Sequence, residues 1–310
     1  MIATVTLNTA IDRILFVRSF RFGRRIIADS SVTTVGGKGT VVSTLLHRMG
    51  RETRAFGFIA GPSGHVMCAL LDRSGVPYEF IEAEGDTRVN TVLVDTDMQS
   101  QTTIINESLR IDPERVDKIE ALIREKAQTI RVWVLSGSLP PGSPPDLWAR
   151  LVRIVQDSGG TAILDSSGEG LREGIQSRPF LIKPNHPELE ELVGRSLPTL
   201  DHVREASESL LANGPEWIVT SMGDLGLVAV TRGAAYHAPA LMRPVVSTSG
   251  AGDGVVAGIA LCLEQGVEIP IALRMGIAVA SSVVSQPGTS ALDPSEVETG
   301  FREAKAEEME

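Results

Sequence analysis

Apolar residues along the chain repeat with two periods that take turns. Residues 2–7 form a short apolar run, the mark of a buried strand. Val42, Leu45, Leu46 and Met49 then recur at helical spacing, and Gly50 ends that helix. Residues 55–59 are strand-like, and 65–74 form a short helix stopped at Gly75. Beyond Asp112, a helix N-cap, the pattern predicts helices over 113–127, 146–157, 186–192, 203–212, 254–265 and 271–284. Between them it predicts strands at 131–135, 161–165, 180–182, 217–221 and 226–230. Strands alternating with helices imply an α/β fold with a parallel sheet covered on both faces.

Two stretches break the alternation. Residues 14–20 and 26–34 are strand-like on either side of Gly23, and 88–94 with 101–106 form a second hairpin turning at Asp95-Thr96-Asp97. They predict a small β-sheet built from about 12–34 and 87–106, set as a lid over a site within a single domain spanning 1–310. The tail, 303–310, is charged and expected to fray.

Composition sharpens this picture. Aromatics are 4% of residues, so Ala, Val, Leu and Ile must fill the core, as buried parallel sheets prefer. The net charge of −10 argues against nucleic acid and anionic membranes as partners. An anionic substrate would therefore need a local positive island. Cys68 and Cys262 lack metal or disulfide spacing and suit a reducing cytoplasm. The start has no basic segment of a signal peptide, and the apolar stretch 255–263 is too short to span a bilayer. A soluble, cytoplasmic protein is expected.

Four loops carry candidate chemistry at positions where open α/β sheets bind ligands, beyond strand carboxyl ends. Ser247-Thr248-Ser249-Gly250-Ala251-Gly252-Asp253-Gly254 opens a helix. Its small residues let main-chain N–H groups approach an anion at a positive helix end, and Asp253 can accept a hydroxyl proton. The same loop also fits a plain N-cap. It is no Walker A loop, since no Gly-Lys-[Ser/Thr] follows, and it lacks the dinucleotide fingerprint. Val35-Gly36-Gly37-Lys38-Gly39 suits a hydroxyl-rich or phosphorylated ligand, or simply a turn needing positive φ. In Lys183-Pro184-Asn185-His186-Pro187-Glu188, Asn185 and Glu188 fit either a capping box or a hydrated Mg²⁺. Ser136-Gly137-Ser138-Leu139-Pro140-Pro141-Gly142 reads as a turn with small polar groups.

Taken together and in order, with Asp165-Ser166-Ser167-Gly168-Glu169, these loops resemble the ribokinase-like (PfkB) carbohydrate kinases. The branch they are most similar to is that of the 1-phosphofructokinases and tagatose-6-phosphate kinases. The likeness runs from Thr6-Leu7-Asn8 to Pro287-Gly288-Thr289. It implies a three-layer αβα sandwich with a small β lid, ATP as phosphoryl donor, Mg²⁺, and a homodimer through the lid. By resemblance Asp253 is the catalytic base, and Gly250, Ala251 and Gly252 form the anion hole. Asn185 and Glu188 organise Mg²⁺ through water, with Lys183 nearby, and Ser221, Gly223 and Gly226 border the nucleotide. Asp12 and Gly37 meet sugar hydroxyls; Lys38, Arg88, Asn90 and Ser138 hold the acceptor and its phosphate. Arg24 or Arg25 would reach a neighbouring subunit's site.

The departures lie mainly on the acceptor side. Val41 stands where the branch has a sugar-binding Asn, Thr9 replaces a proline, and Glu107-Ser108-Leu109-Arg110 replaces a Pro-Gly turn. Ser249 and Met222 replace a valine and a leucine. The expectation is a working kinase of a phosphorylated ketose (fructose 1-phosphate, fructose 6-phosphate or tagatose 6-phosphate type). The alternatives are a kinase of an unphosphorylated sugar, sugar acid or nucleoside, and a non-catalytic binding protein on the same scaffold.

Overall fold

The alternating strands pair as their apolar character requires, in a computed structural model that describes residues 1–212 and 214–309. The first half runs β1 (Ile2–Thr6), β2 (Ala10–Val17), β3 (Ser30–Gly36), α1 (Lys38–Arg48), β4 (Thr53–Ile59), α2 (Gly61–Ser74) and β5 (Tyr78–Glu82). It continues through β6 (Arg88–Asp95), β7 (Ser100–Ile104) and α3 (Pro113–Lys126) to β8 (Val132–Ser136), α4 (Leu147–Asp157) and β9 (Thr161–Asp165). There follow α5 (Gly168–Ile175), β10 (Leu181–Ile182), α6 (His186–Val193), α7 (Leu200–Leu211), β11 (Trp217–Ser221), β12 (Leu227–Thr231) and β13 (Ala234–Ala238). The chain ends with α8 (Ala251–Glu264), α9 (Ile269–Val284), α10 (Pro294–Glu303) and β14 (Glu307–Glu308).

Among the described residues, ten strands form a sheet in the order β14-β13-β12-β11-β10-β9-β8-β1-β4-β5, and four form a second in the order β3-β2-β6-β7. From β11 to β5 the large sheet is parallel. Successive side chains on a strand face opposite ways, and the core divides accordingly. Ala3, Trp133, Leu135 and Leu164 pack with α3 to α7 on one face. Ile2, Val132, Val134 and Ile163 pack with α1, α8, α9 and α10 on the other. This is an α/β sandwich with a mostly parallel central sheet and a smaller sheet beside it. In the small sheet β2 runs parallel to β6, from Ala10↔Arg88 to Val17↔Asp95, so the two predicted hairpins join at their inner strands.

The differences from the sequence pattern have local causes. β5 is a half-buried edge strand, alternating Tyr-Glu-Phe-Ile-Glu, with no wholly apolar run. α5 holds three glycines, poor helix formers, yet Leu171 and Ile175 bury against the core. The backbone comes so close there that a Cβ on Gly174 would lie 2.4 Å from Leu164 Cδ2. Prolines at the starts of α9 and α10 belong to the helices as N-terminal residues. The tail, expected to fray, instead pairs with β13 through Tyr236↔Glu308 and His237↔Glu307. No strand directly precedes the Gly250 loop: β13 ends at Ala238, and residues 239–250 form an extended connection.

Candidate active site

The carboxyl ends of the parallel strands gather the candidate residues. Asn8 follows β1, Ser138 follows β8, Asp165 ends β9, Lys183 follows β10 and Ser221 ends β11. All lie on the edge where an open α/β sheet binds ligands. Opposite them stands the start of α8. Gly250, its N-cap, takes φ +86, and a Cβ there would lie 2.1 Å from Thr289 O. Both the conformation and the space therefore demand glycine. Ala251 N–H reaches Thr248 O at 3.4 Å, a long contact that an anion at the helix start can replace.

Asp253 sits on the first turn of α8 and faces a buried ion cluster. Lys38 Nζ lies 3.0 Å and Lys183 Nζ 3.5 Å from the same oxygen, Asp165 Oδ1. Asp165 is 0% exposed and Lys183 3%, whereas Lys38 is 36% exposed and opens to the site. Burial alone would raise the Asp165 carboxyl, but Lys183 and Lys38 hold it below its usual range. Burial also acts to lower Lys38, and Asp165, Glu188 and Asp253 outweigh it, so its ammonium is held above the ordinary value. Burial, with the Asp165 charge adding to it, pushes the Asp253 carboxyl up to about 7. Lys38 and Lys183 pull the other way without winning. A carboxylate with that value can take a hydroxyl proton near neutral pH.

The acceptor side is built from the starts of β2 and β6. Asp12 pairs in register with Asn90, whose Nδ2 donates to Asp12 Oδ1 at 2.8 Å. The carboxylate lies against Gly36, where a Cβ would come within 2.5 Å of Oδ1. Burial raises the Asp12 carboxyl above its usual range; Asn90, Thr289 and Arg88 act to lower it. Arg88 donates to Asn8 O at 3.5 Å, and Asn8 Nδ2 donates to Ser138 Oγ at 3.1 Å. Burial pulls the Arg88 guanidinium below its ordinary value, against the attraction of Asp12. Asn8 Oδ1, Arg88 Nε and Asn90 Oδ1 are buried with no hydrogen-bond partner among the described residues. Buried polar groups are ordinarily satisfied, so three orphans on one wall mark a surface made for a polar ligand. A cavity of about 490 Å³ opens beside Arg88, with Asp86 and Glu107 on its rim.

A second cavity, of about 690 Å³, runs from Asn185, Ser221, Gly223 and Gly226 to Ala251 and Gly252. Its inner wall is apolar, with Leu227, Val255 and Ile277, and suits a flat heteroaromatic ring with phosphates at the α8 start. Gly226 takes φ +91 and stands against Ala238 O, so no side chain fits.

Some expectations change in place. Val41 is 1% exposed and packs in the apolar core with Val42 and Leu45, so its side chain offers no surface to an acceptor. Lys38 pairs with Asp165 and faces Glu188 and Asp253. Gly37, φ +79, shapes the turn into α1. Asn185 and Glu188 do form the capping box: Asn185 Oδ1 accepts from Glu188 N, and Glu188 Oε2 accepts from Asn185 N. Glu188 Oε1 takes no hydrogen bond among the described residues and stays available to a water shell. Among the described residues no group of three His, Cys, Asp or Glu side chains could hold a metal ion directly. Nor is the centre a positive island. Asp12, Asp165, Asp253 and Glu188 face Lys38, Lys183 and Arg88, four carboxylates against three cations. A hydrated divalent cation fits that donor set and that charge. Asp165 and Asn8 join the site beyond the residues that the motifs mark, and the signal in the sequence for both is a polar residue at a strand's carboxyl end.

Residues 3–296 match the pfkB family of carbohydrate kinases. A 1-phosphofructokinase from Bacillus subtilis is 31% identical over 286 residues, covering 91% of this chain and 92% of its own. An ATP-dependent 6-phosphofructokinase isozyme 2 from Mycobacterium tuberculosis is 31% identical over 301 residues, covering 97% and 88%. The crystal structure of phosphofructokinase-2 from Escherichia coli in complex with substrates and products superposes with a TM-score of 0.91 at 26% identity, covering 97% of this chain and 98% of that one. The chain belongs to the pfkB family of carbohydrate kinases and is a kinase.

Proposed function

We propose that this kinase transfers the terminal phosphoryl group of ATP to a hydroxymethyl group of a phosphorylated ketose, fructose 1-phosphate or fructose 6-phosphate being the types its relatives' names point to. The observation that carries the reading is Asp253, pushed up to about 7, on the α8 turn where the anion-binding amides begin. The acceptor oxygen attacks the terminal phosphorus and its proton passes to Asp253. The bond to the bridging oxygen breaks, and ADP leaves. The amides of Gly250, Ala251 and Gly252 hold the transferring oxygens, while Lys38 and Lys183 face the developing charge. Asp12, Asn90, Asn8 and Ser138 orient the sugar, and Arg88 holds its phosphate. The nucleotide lies in the larger cavity along Ser221, Gly223 and Gly226. Asn185 and Glu188 would hold the waters of a Mg²⁺ bound with the nucleotide, which would supply the positive charge that the four-to-three balance lacks.

One observation favours a less anionic acceptor. Asp86 and Glu107 share the rim of the cavity beside Arg88, and both would repel a phosphate. ADP release across fructose 1-phosphate, fructose 6-phosphate, tagatose 6-phosphate, free hexoses, ribose and nucleosides separates the readings. Arg88→Ala should raise the KM of a phosphorylated acceptor about tenfold or more, the worth of a charge-assisted bond. An unchanged KM would sink the phosphosugar assignment.

The same reading extends to assembly and place. Phe22 is 94% and Ile27 82% exposed on the loop of the small sheet, and Ile104, which ends its outer strand, and Ile105 just beyond are exposed as well. Apolar patches of this kind suit a homodimer through that sheet, with Arg24 or Arg25 turned toward the neighbour's site. A monomer mass by light scattering would remove this part. Among the described residues no helix is long and apolar enough to cross a membrane, and both cysteines are free, as in a cytoplasmic enzyme.

A further inference from the structure

We propose that Gln101 is a positioning residue for the anion-hole loop: its amide ties the outer strand of the small sheet to Ser247 and Ser249, so that the loop takes its working shape when the sheet is closed over the site. This rests on the kinase reading above.

Ser247 Oγ donates to Gln101 Oε1 at 3.0 Å, and Gln101 Nε2 donates to Ser249 Oγ at 2.7 Å. Ser249 N–H in turn donates to Ser247 Oγ at 3.2 Å, closing a ring that ends one residue before Gly250. Among the described residues β7 is an edge strand, paired only to β6. Its burial pattern singles out one position: Gln101 is partly covered, and Ser100, Thr102, Thr103 and Ile104 are exposed. The strand therefore touches the body of the protein through this amide. The other outer strand, β3, makes a matching contact. Thr289 Oγ1 donates to Val35 O at 3.0 Å, and Thr34 Oγ1 shares a hydrogen bond with Ser290 Oγ at 2.6 Å. Thr289 O is the atom against which Gly250 is packed. The two edges of the small sheet thus grip the polypeptide on either side of the residue that sets the anion hole. Ser249, which breaks the branch pattern by replacing a valine, is what gives Gln101 a second polar partner.

The chemical consequence follows from geometry. Phosphoryl transfer depends on placing donors within fractions of an ångström, and a closed site keeps water from the phosphorus. Releasing the grip loosens both.

Gln101→Met keeps the length of the side chain and removes its hydrogen bonds. The variant should lose about tenfold to a hundredfold in kcat. The acceptor KM should stay within about threefold. Acceptor-independent ADP release should rise relative to transfer. Ser249→Ala should behave likewise, and the double variant should be no slower than the slower single one. An unchanged kcat overturns the inference. So does a kcat loss accompanied by a matching fall in melting temperature or a proportional rise in KM, because a merely structural residue would do that. If Gln101→Met does not fold, Ser249→Ala alone decides by the same criteria. A wild-type enzyme silent across the acceptor panel would overturn the kinase assignment of substrate; an active wild type indifferent to Gln101→Met overturns only this inference.

Discussion

Replacing Asp253 with Asn should slow the enzyme and stabilise it at once. Burial and the Asp165 charge push the Asp253 carboxyl from 3.8 to about 7. The folded state therefore holds a proton that the unfolded chain gives up. For an acid raised in this way, stability is fully present below the unfolded value of 3.8 and is lost as pH rises through about 7. A gap of that width corresponds to roughly 4 kcal/mol at about 1.4 kcal/mol per unit. Water reaches Asp253 in the open site, and its screening leaves about a third of this, roughly 1–2 kcal/mol. An Asn of the same shape avoids this penalty. At pH 8 the variant should melt roughly 2–6 °C higher than the parent, and the advantage should shrink steadily toward pH 4. Its kcat should fall about 10²–10⁴-fold, the worth of a general base. Thermal melts across pH and coupled ADP release read the two effects separately. A variant that is slow but gains nothing in stability at pH 8, or whose gain is flat with pH, would refute the electrostatic account of Asp253. A variant that keeps its kcat would refute its role as base.

The other expectations are shorter. Since only the ionised carboxylate accepts a proton, kcat/KM should climb with pH and level off above about 7, and a profile flat from pH 5 to 9 would contradict it. Lys183→Met leaves the buried Asp165 with Lys38 as its one cation; breaking a buried pair costs about 3–5 kcal/mol, so denaturant melts should show a large loss. Gly250→Ala puts a Cβ 2.1 Å from Thr289 O at φ +86, and should abolish transfer while leaving ATP binding, measured by calorimetry, weakened but present.

How much of this could be read from the sequence differs by layer. The parallel core was legible because its strands are short apolar runs and its helices carry strong 3.6-residue periods, as in 113–127 and 146–157. The small sheet was legible because its two hairpins broke the alternation. What escaped depended on tertiary support. α5 folds despite its glycines because Leu171 and Ile175 bury against the core, and β14 forms because β13 offers an edge. In the site, the glycine loops announced themselves through composition, whereas Val41 misled because a motif position does not fix which way a side chain points. The Gln101 grip joins positions 146 and 148 residues apart, a contact that no local pattern encodes.

The electrostatic design is the least legible part, and it reverses a simple expectation. A chain of net charge −10 would be expected to concentrate cations wherever an anionic substrate binds. Instead, Asp165 binds both candidate lysines. That carboxylate has two consequences that oppose each other for binding but agree for catalysis. It fixes Lys38 and Lys183 in place through two ion pairs and holds the Lys38 ammonium above its ordinary value, so that on the proposed mechanism both would meet the phosphates without reorganising. It also pushes Asp253 upward, toward the pH at which a base works best. A free pair of lysines would attract phosphate more strongly, yet would pull Asp253 down and make it a poorer acceptor of protons. Because both lysines are also paired to Asp165, the proposed mechanism needs more than these two cations: the main-chain amides at the α8 start, Arg88 and the positive charge arriving with the nucleotide would share the anion with them. Field at this centre is therefore arranged by pairs and dipoles, and Asp165 at the end of β9 both anchors the two lysines and adds to the burial that raises Asp253.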